Sequence, residues 1–241
     1  MNGISKNIAV IGCGYWGKNL IRNFAEIGAL TAVCDADEDQ AQKFAAKHDV
    51  QALSLSDIMA SQEINGVVIA APAALHYDIA KQALENNKHV FVEKPLSLSV
   101  SDGKKLCELA KEKNKILMVG HLLHYHSAYQ KLKSMVESSE LGDLRYIYSN
   151  RLNLGKIRRE EDILWSFAPH DISMILDLMG EEPSAVQATG SFHLSENIAD
   201  ITTTHLTFSG NRKAHIFVSW LHPFKEQKLV IVGSKAMIVF I

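Results

Sequence analysis

The chain has 241 residues, enough for one large domain or two modest ones against a typical domain of ~100–200 residues. Hydrophobic residues make up 47% and charged residues 22%, a globular composition that excludes a mainly disordered chain. Twenty-five Lys and Arg against 27 Asp and Glu give a formal net charge of -2, without the basic excess of sequence-independent nucleic-acid binding, so no nucleic-acid partner is expected.

No apolar run approaches the ~18–20 residues that span a bilayer, and no membrane partner is expected. The opening MNGISKNIAVIGCG holds too short an apolar stretch for a secretory signal, which makes a cytoplasmic location the expectation. Cys13, Cys34 and Cys107 lack metal or redox spacing and read as reduced packing residues.

From Asn7 to Gly120, short β-branched apolar runs alternate with amphipathic stretches, the pattern of a parallel sheet covered by helices. Strands are expected at 7–11, 30–34, 66–70, 89–93 and 116–120, with a weaker one near Gln51. Leu20, Ile21, Phe24 and Ile27 fall at helical spacing, and Gly28 is placed to end that helix in a left-handed conformation. Further helices are expected from about Asp37, as N-cap, to His48, and from His76 to Asn86. Right-handed crossovers between such strands make residues 1–121 an α/β, doubly wound Rossmann domain.

After Ser127 the texture changes. One helix is expected over about 127–138, followed by strand-like segments at 144–153, 185–193, 201–208, 213–220, 228–232 and 236–241. Ser209-Gly210-Asn211 reads as a tight connection between antiparallel strands. One helix interrupts the strands from about Pro169 to Met179, with Pro169 in its first turn and Gly180 just past its end. Residues 122–241 are therefore expected to form an α+β domain with a large, mostly antiparallel sheet. The final AMIVFI is an apolar strand with no turn, cap or charge to protect its edge, which points to a truncated chain.

Gly12-Cys13-Gly14-Tyr15-Trp16-Gly17 follows the strand NIAVI and opens a helix, the context that makes a glycine motif informative. Gly12 permits a tight turn, Gly14 lets the backbone approach a pyrophosphate, and Gly17 lets helix and strand pack closely. The free N–H groups and dipole of the helix N-terminus favour the anion. Asp35, 18 residues beyond Gly17, ends the second strand where a carboxylate binds ribose hydroxyls and repels a 2′-phosphate, favouring NAD over NADP. HVFVEKP at 89–95 delivers Glu93 and Lys94 at the carboxyl end of a strand, the side on which doubly wound folds bind ligands. His121, His124 and His126 do not share one helical face and no Cys or carboxylate joins them, so no metal is expected.

GCGYWG, AAPAALH at 70–76 and VEKPLSL at 92–98 resemble the glucose-fructose oxidoreductase, inositol dehydrogenase and MocA (Gfo/Idh/MocA) family, and the resemblance runs over the whole chain. It implies that Ala71, Pro72 and His76 lie beside NAD, Glu93 near the nicotinamide ribose, and Lys94 by the reacting hydroxyl. A histidine of the second domain completes such sites, and here it is His170 in Ser166-Phe167-Ala168-Pro169-His170. Ser166 stands where many members carry Asp, and Leu122 and His124 stand where the usual Asn and Arg follow the sixth strand. Asp171 is a poor substitute for that Asp, because helix neighbours point about 100° apart. His121 is expected in the substrate pocket at the strand end.

NRLNLGKIRRE and SFAPHDISMI resemble a narrower branch, nucleotide-sugar dehydrogenases that oxidise C3 of UDP-N-acetylglucosamine or its uronic acid. Arg151, Asn153, Lys156, Arg158 and Arg159 are the substrate contacts this implies, Arg forks being suited to a sugar-nucleotide diphosphate. A solvated loop is the plainer reading of the same basic run. The implied reaction is NAD-dependent oxidation of a secondary hydroxyl, with Lys94 accepting the hydroxyl proton and His170 bonding the same oxygen or relaying the proton. Two alternatives stay open: a dehydrogenase of a free sugar or inositol, which needs no basic run for a diphosphate, and an NAD-binding sensor without turnover. The family's open sheets also imply face-to-face packing in a homodimer or homotetramer, which would cover the apolar terminal strand.

Overall fold

The computed structural model describes residues 7–154, 157 and 161–241. Two compact units divide the chain, Met1–Gly120 and His121–Ile241. In the first, strands β1 (Ile8–Ile11), β2 (Leu30–Cys34), β3 (Gln51–Ala52), β4 (Gly66–Ile69), β5 (His89–Val92) and β6 (Leu117–Val119) form one parallel sheet. Their order is β3-β2-β1-β4-β5-β6, the expected doubly wound sheet, and it reverses direction between β1 and β4. A crevice for ligands opens at the carboxyl ends of those two strands.

Helices α1 (Gly17–Glu26), α2 (Glu38–His48), α3 (Leu55–Ala60), α4 (His76–Glu85) and α5 (Val100–Glu112) connect the strands. As expected, the Asp37 carboxylate accepts the Gln40 N–H to cap α2, and Gly28 follows α1 with φ +69. Helices α3 and α5 add to the expected set. Their start signal is a serine three residues before an aspartate: Ser54 and Ser99 accept the backbone N–H groups of Asp57 and Asp102. Alternate residues of β1 divide between two cores, Val10 packing with Ile21 and Val33, Ala9 and Ile11 with Ile69, Leu84 and Val90. Strand β4 is buried at all four positions, as a central strand covered on both faces requires. Cys13 and Cys34 are buried as expected, whereas Cys107 is exposed on α5.

The second unit carries α6 (Ser127–Glu137), β7 (Leu144–Leu152), α7 (Ile163–Met179), β8 (Ala185–Ser191), β9 (Ile201–Thr207), β10 (Lys213–Ser219), β11 (Glu226–Gly233) and β12 (Met237–Phe240). The sheet order is β12-β11-β7-β10-β9-β8, antiparallel at every described pairing except β7 with β10. One face is closed by helix: Ile147, Ile216, Val218 and Ile231 join Met174, Ile175 and Leu178 of α7 in the core. On the other face Tyr148 and His215 stack with ring centroids 5.4 Å apart, and β8 is exposed along its whole length.

Helix α7 corrects the sequence reading. It starts six residues before Pro169, because Asp162 caps it by accepting the Trp165 N–H at 3.0 Å and burial of Ile163, Ser166 and Ala168 carries it through the proline. His170 therefore lies in the middle of a 17-residue helix rather than in a first turn. Gly180 ends it in a left-handed conformation, φ +68, as expected. Among the described residues no helix is long and apolar enough to cross a membrane.

Candidate active site

The turn after β1 is shaped by what its glycines exclude. Gly12 has φ +98, and a Cβ there would stand 2.7 Å from the Ala70 carbonyl group, so β1 and the segment leaving β4 approach closer than a side chain permits. A Cβ on Gly17 would lie 1.8 Å from the Gly12 carbonyl oxygen, which forces glycine at the start of α1. Gly14 is the opposite case, with nothing within 4 Å of its would-be Cβ. It faces open space where a ligand can meet bare backbone. Cys13 between them is buried, and burial, with the Asp35 charge adding, pushes its thiol up to about 12, so it packs rather than reacts. Tyr15 and Trp16 are exposed at the head of α1, with the Lys18 ammonium 4.8 Å from the Tyr15 ring.

Gly12, Gly14, Asp35, Ala71 and Pro72 come together around one cavity of about 770 Å3, with Leu75 on its apolar side. That volume falls within the ~300–1,000 Å3 of small-molecule and cofactor sites. Asp35 ends β2 and is fixed by its neighbours: Oδ2 accepts the Cys13 N–H at 2.6 Å and the Gln40 side chain at 3.2 Å, and Oδ1 accepts the Asp37 N–H at 3.0 Å. An ionised carboxylate has about four acceptor positions, so one is left for a hydroxyl donor. Gln40 adds to the expected site residues. Its signal was the capping-box glutamine three positions after Asp37.

At the end of β5, the Glu93 N–H donates to the Ile69 carbonyl at 2.9 Å, the last ladder bond between β4 and β5. The Glu93 side chain is buried over Gly120, and its Oε2 has no hydrogen-bond partner among the described residues. Burial pushes this carboxyl above its ordinary range, against the pull of the Lys94 N–H and ammonium. Lys94 is half-buried and joined to Pro95 by a cis peptide. His76, at the head of α4, is 1% exposed, its Nδ1 2.7 Å from the Pro95 carbonyl and its Nε2 2.8 Å from the Ala71 carbonyl. It braces two segments of the site instead of presenting a free ring nitrogen to a ligand.

In the second unit, His121 precedes a short 3-10 turn over Leu122–Tyr125, and its ring meets that of His124 edge-on at 6.1 Å. His170 is half-buried on α7, one turn beyond the buried Ser166. Asn153 directly follows β7 and donates its N–H to the Ser219 carbonyl at 3.1 Å. Arg151 commits its Nε and Nη2 to the Asp171 carboxylate at 2.7 and 3.2 Å, and Ser149 donates to the same carboxylate at 2.5 Å. Asp171 thus faces the sheet, its carboxylate committed to two residues of β7. Lys156, Arg158 and Arg159 lie outside the described residues.

The sequence profile of an oxidoreductase family with an NAD-binding Rossmann fold, Gfo/Idh/MocA, matches residues 6–121, and that of its C-terminal domain matches residues 129–239. The chain belongs to the Gfo/Idh/MocA family. Among family members, the UDP-N-acetylglucosamine 3-dehydrogenase of Acidithiobacillus ferrooxidans is 29% identical over 217 residues, covering 90% of this chain and 67% of that protein. The inositol 2-dehydrogenase of Salmonella typhimurium is 26% identical over 188 residues, covering 74% of this chain and 56% of that protein. A solved structure of the Acidithiobacillus enzyme superposes with a TM-score of 0.88 at 27% identity, covering 97% of this chain and 75% of that one. The chain spans from about 56% to 71% of the length of the curated relatives it matches.

The residues present fit the Gfo/Idh/MocA cofactor, NAD. Open space at Gly14 beside the head of α1 suits a pyrophosphate, Asp35 has acceptor capacity for a ribose hydroxyl, and the unpartnered Glu93 Oε2 suits a second hydroxyl donor.

Proposed function

We propose that this protein oxidises a secondary hydroxyl, at C3, of a UDP-linked amino sugar or its uronic acid. The observation that carries the reading is the carboxyl end of the parallel sheet, where a cofactor-sized cavity edged by Gly14 and Asp35 lies in the same unit as Glu93 and Lys94. NAD, when bound, supplies the hydride acceptor. Gly12, Gly14 and Gly17 hold its pyrophosphate, Asp35 its adenosine ribose and Glu93 its nicotinamide ribose. Lys94 accepts the hydroxyl proton of the substrate, and His170 bonds the same oxygen or passes the proton on. His121, Asn153 and the basic stretch through Lys156, Arg158 and Arg159 make the substrate side, while Arg151 organises it by holding Asp171.

The similarity to a UDP-N-acetylglucosamine 3-dehydrogenase supports a nucleotide sugar, and that to an inositol 2-dehydrogenase supports the alternative of a free polyol. NADH formation with UDP-N-acetylglucosamine, its uronic acid, N-acetylglucosamine and myo-inositol separates them. Turnover confined to the two UDP-sugars is the expected result; turnover with inositol alone overturns the nucleotide-sugar reading. The chain also assembles with itself through the second unit's sheet, whose β8 and β12 expose Val186, Met237 and Val239. A stable monomer by light scattering at micromolar concentration rejects that assembly.

A further inference from the structure

We propose that His76 is a positioning residue that sets Lys94 in register with the glycine turn, a role that rests on Lys94 acting in the reaction. In sequence His76 is only the first residue of a helix, where a basic side chain is disfavoured by the dipole and is ordinarily solvated. Here it is turned inward and buried.

The reason lies in the two strands beneath it. β4 and β5 pair from Gly66 with His89 to Ile69 with Val92, and the Glu93 N–H to the Ile69 carbonyl closes the ladder. Pro95, two residues on, has no N–H with which to continue it. The carbonyl groups of Ala71 and Pro95 are left between the diverging segments, and the imidazole of His76 takes the place of the missing ladder bond, 2.8 and 2.7 Å from the two oxygens. A neutral ring donates to one of the two oxygens and an imidazolium to both, so at least one hydrogen bond holds the ring between them.

This brace ties together three pieces of the site. Ala70 and Ala71 lie against Gly12, as the 2.7 and 2.9 Å approaches of a Cβ at Gly12 show. Pro95 directly follows Lys94. The lysine's backbone is thereby held at a fixed offset from the turn that receives the pyrophosphate, although His76 itself offers nothing to a ligand.

Three measurements on the whole chain test this. Replacement His76→Leu keeps an apolar filling but loses both polar contacts, whereas His76→Gln places one amide NH2 where both carbonyl groups can accept from it. With a turned-over sugar, kcat of His76→Leu falls about 100-fold, the loss expected when a catalytic group is misplaced by about 1 Å. KM for that sugar and NADH affinity stay within a few-fold of wild type, and His76→Gln restores most of kcat. Hydrogen exchange supplies a readout independent of turnover: amides of 93–98 exchange faster in His76→Leu than in His76→Gln, with those of β1 unchanged. Wild-type kcat in His76→Leu, or equal exchange at 93–98 in both variants, overturns the positioning role. If His76→Leu does not fold, a His76→Gln variant that folds yet exchanges as slowly as wild type and has lost kcat also overturns it. Lys94→Ala with wild-type turnover instead rejects the reading of Lys94 and leaves the exchange result standing.

Discussion

The two units place their polar residues by different means. In Met1–Gly120 the candidate site is made by backbone: glycines, Ala71, Pro72 and Lys94 leave the carboxyl ends of parallel strands, and strand order alone gathers the segments that carry them. In His121–Ile241 the polar residues are placed by side chains that meet across long stretches of chain. Arg151 and Ser149 hold Asp171 about one sheet-to-helix layer away, and Tyr129 and Lys133 hold Asp177 at 2.8 and 2.7 Å. A site of the first kind tolerates side-chain changes that keep the backbone, whereas one of the second fails when a single charge is removed.

The largest expected effect belongs to Lys94, which the end of β5 carries and to which the proposed reaction gives the hydroxyl proton. Lys94→Ala lowers kcat by about 10²- to 10⁴-fold, the range for losing a positioned acid or base, while NADH still binds, since the proposed site gives the cofactor to the glycine turn. Steady-state kinetics with fluorescence titration of NADH check both halves, and turnover near wild type removes Lys94 from the mechanism.

Next in size is the second unit's buried ion pair. Asp171→Ala leaves the Arg151 guanidinium without its bidentate partner in a site where the aspartate is 1% exposed, a loss of about 3–5 kcal/mol. Thermal or urea unfolding measures it, and a change under 1 kcal/mol would show that the side-chain network does not hold the unit together.

The glycines sharpen the contrast inside the first unit. Gly17→Ala drives a methyl group into the Gly12 carbonyl and destabilises by about 1–3 kcal/mol or more, since backbone rather than a flexible side chain must yield. Gly14→Ala meets nothing in the protein, so it leaves the melting temperature unchanged and weakens NADH binding alone. Equal melting temperatures for the two variants would refute the backbone account. If Asp35 receives the adenosine ribose as proposed, Asp35→Asn removes the charge that would repel a 2′-phosphate, and the ratio of NADP to NAD dissociation constants shifts towards NADP.

This division explains what the sequence could reveal. A glycine spacing after an apolar strand, an aspartate ending the next strand and VEKP after another are local patterns, and each sits within a few residues of the strand end that uses it. The Ser-x-x-Asp starts of helices α3 and α5 are as local. The extent of α7 was not local: Pro169 reads as a first-turn residue, and only the cap at Asp162 and the burial of Ile163 against the sheet outweigh it. The pairing of Arg151 with Asp171 had no pattern at all in the sequence, because it arises from which face of α7 meets β7.

The smallest expected effect tests the second network by pH. Burial pushes the Asp177 carboxyl up, but the bonds from Lys133 and Tyr129 and the Lys133 charge outweigh it and hold the group below its ordinary range. A carboxyl whose folded-state pKa is depressed stabilises the fold fully above its unfolded value of about 3.9 and loses that contribution as pH falls through the folded value. The pair is partly exposed, so the contribution is below about 1 kcal/mol. Asp177→Asn is therefore slightly less stable than wild type at pH 7, and the gap between the two closes as pH drops below about 4. Urea unfolding of both proteins across that range reads the difference directly. A gap that persists unchanged to pH 3 means that the Tyr129 hydroxyl and Lys133 contribute through packing rather than through the carboxylate charge.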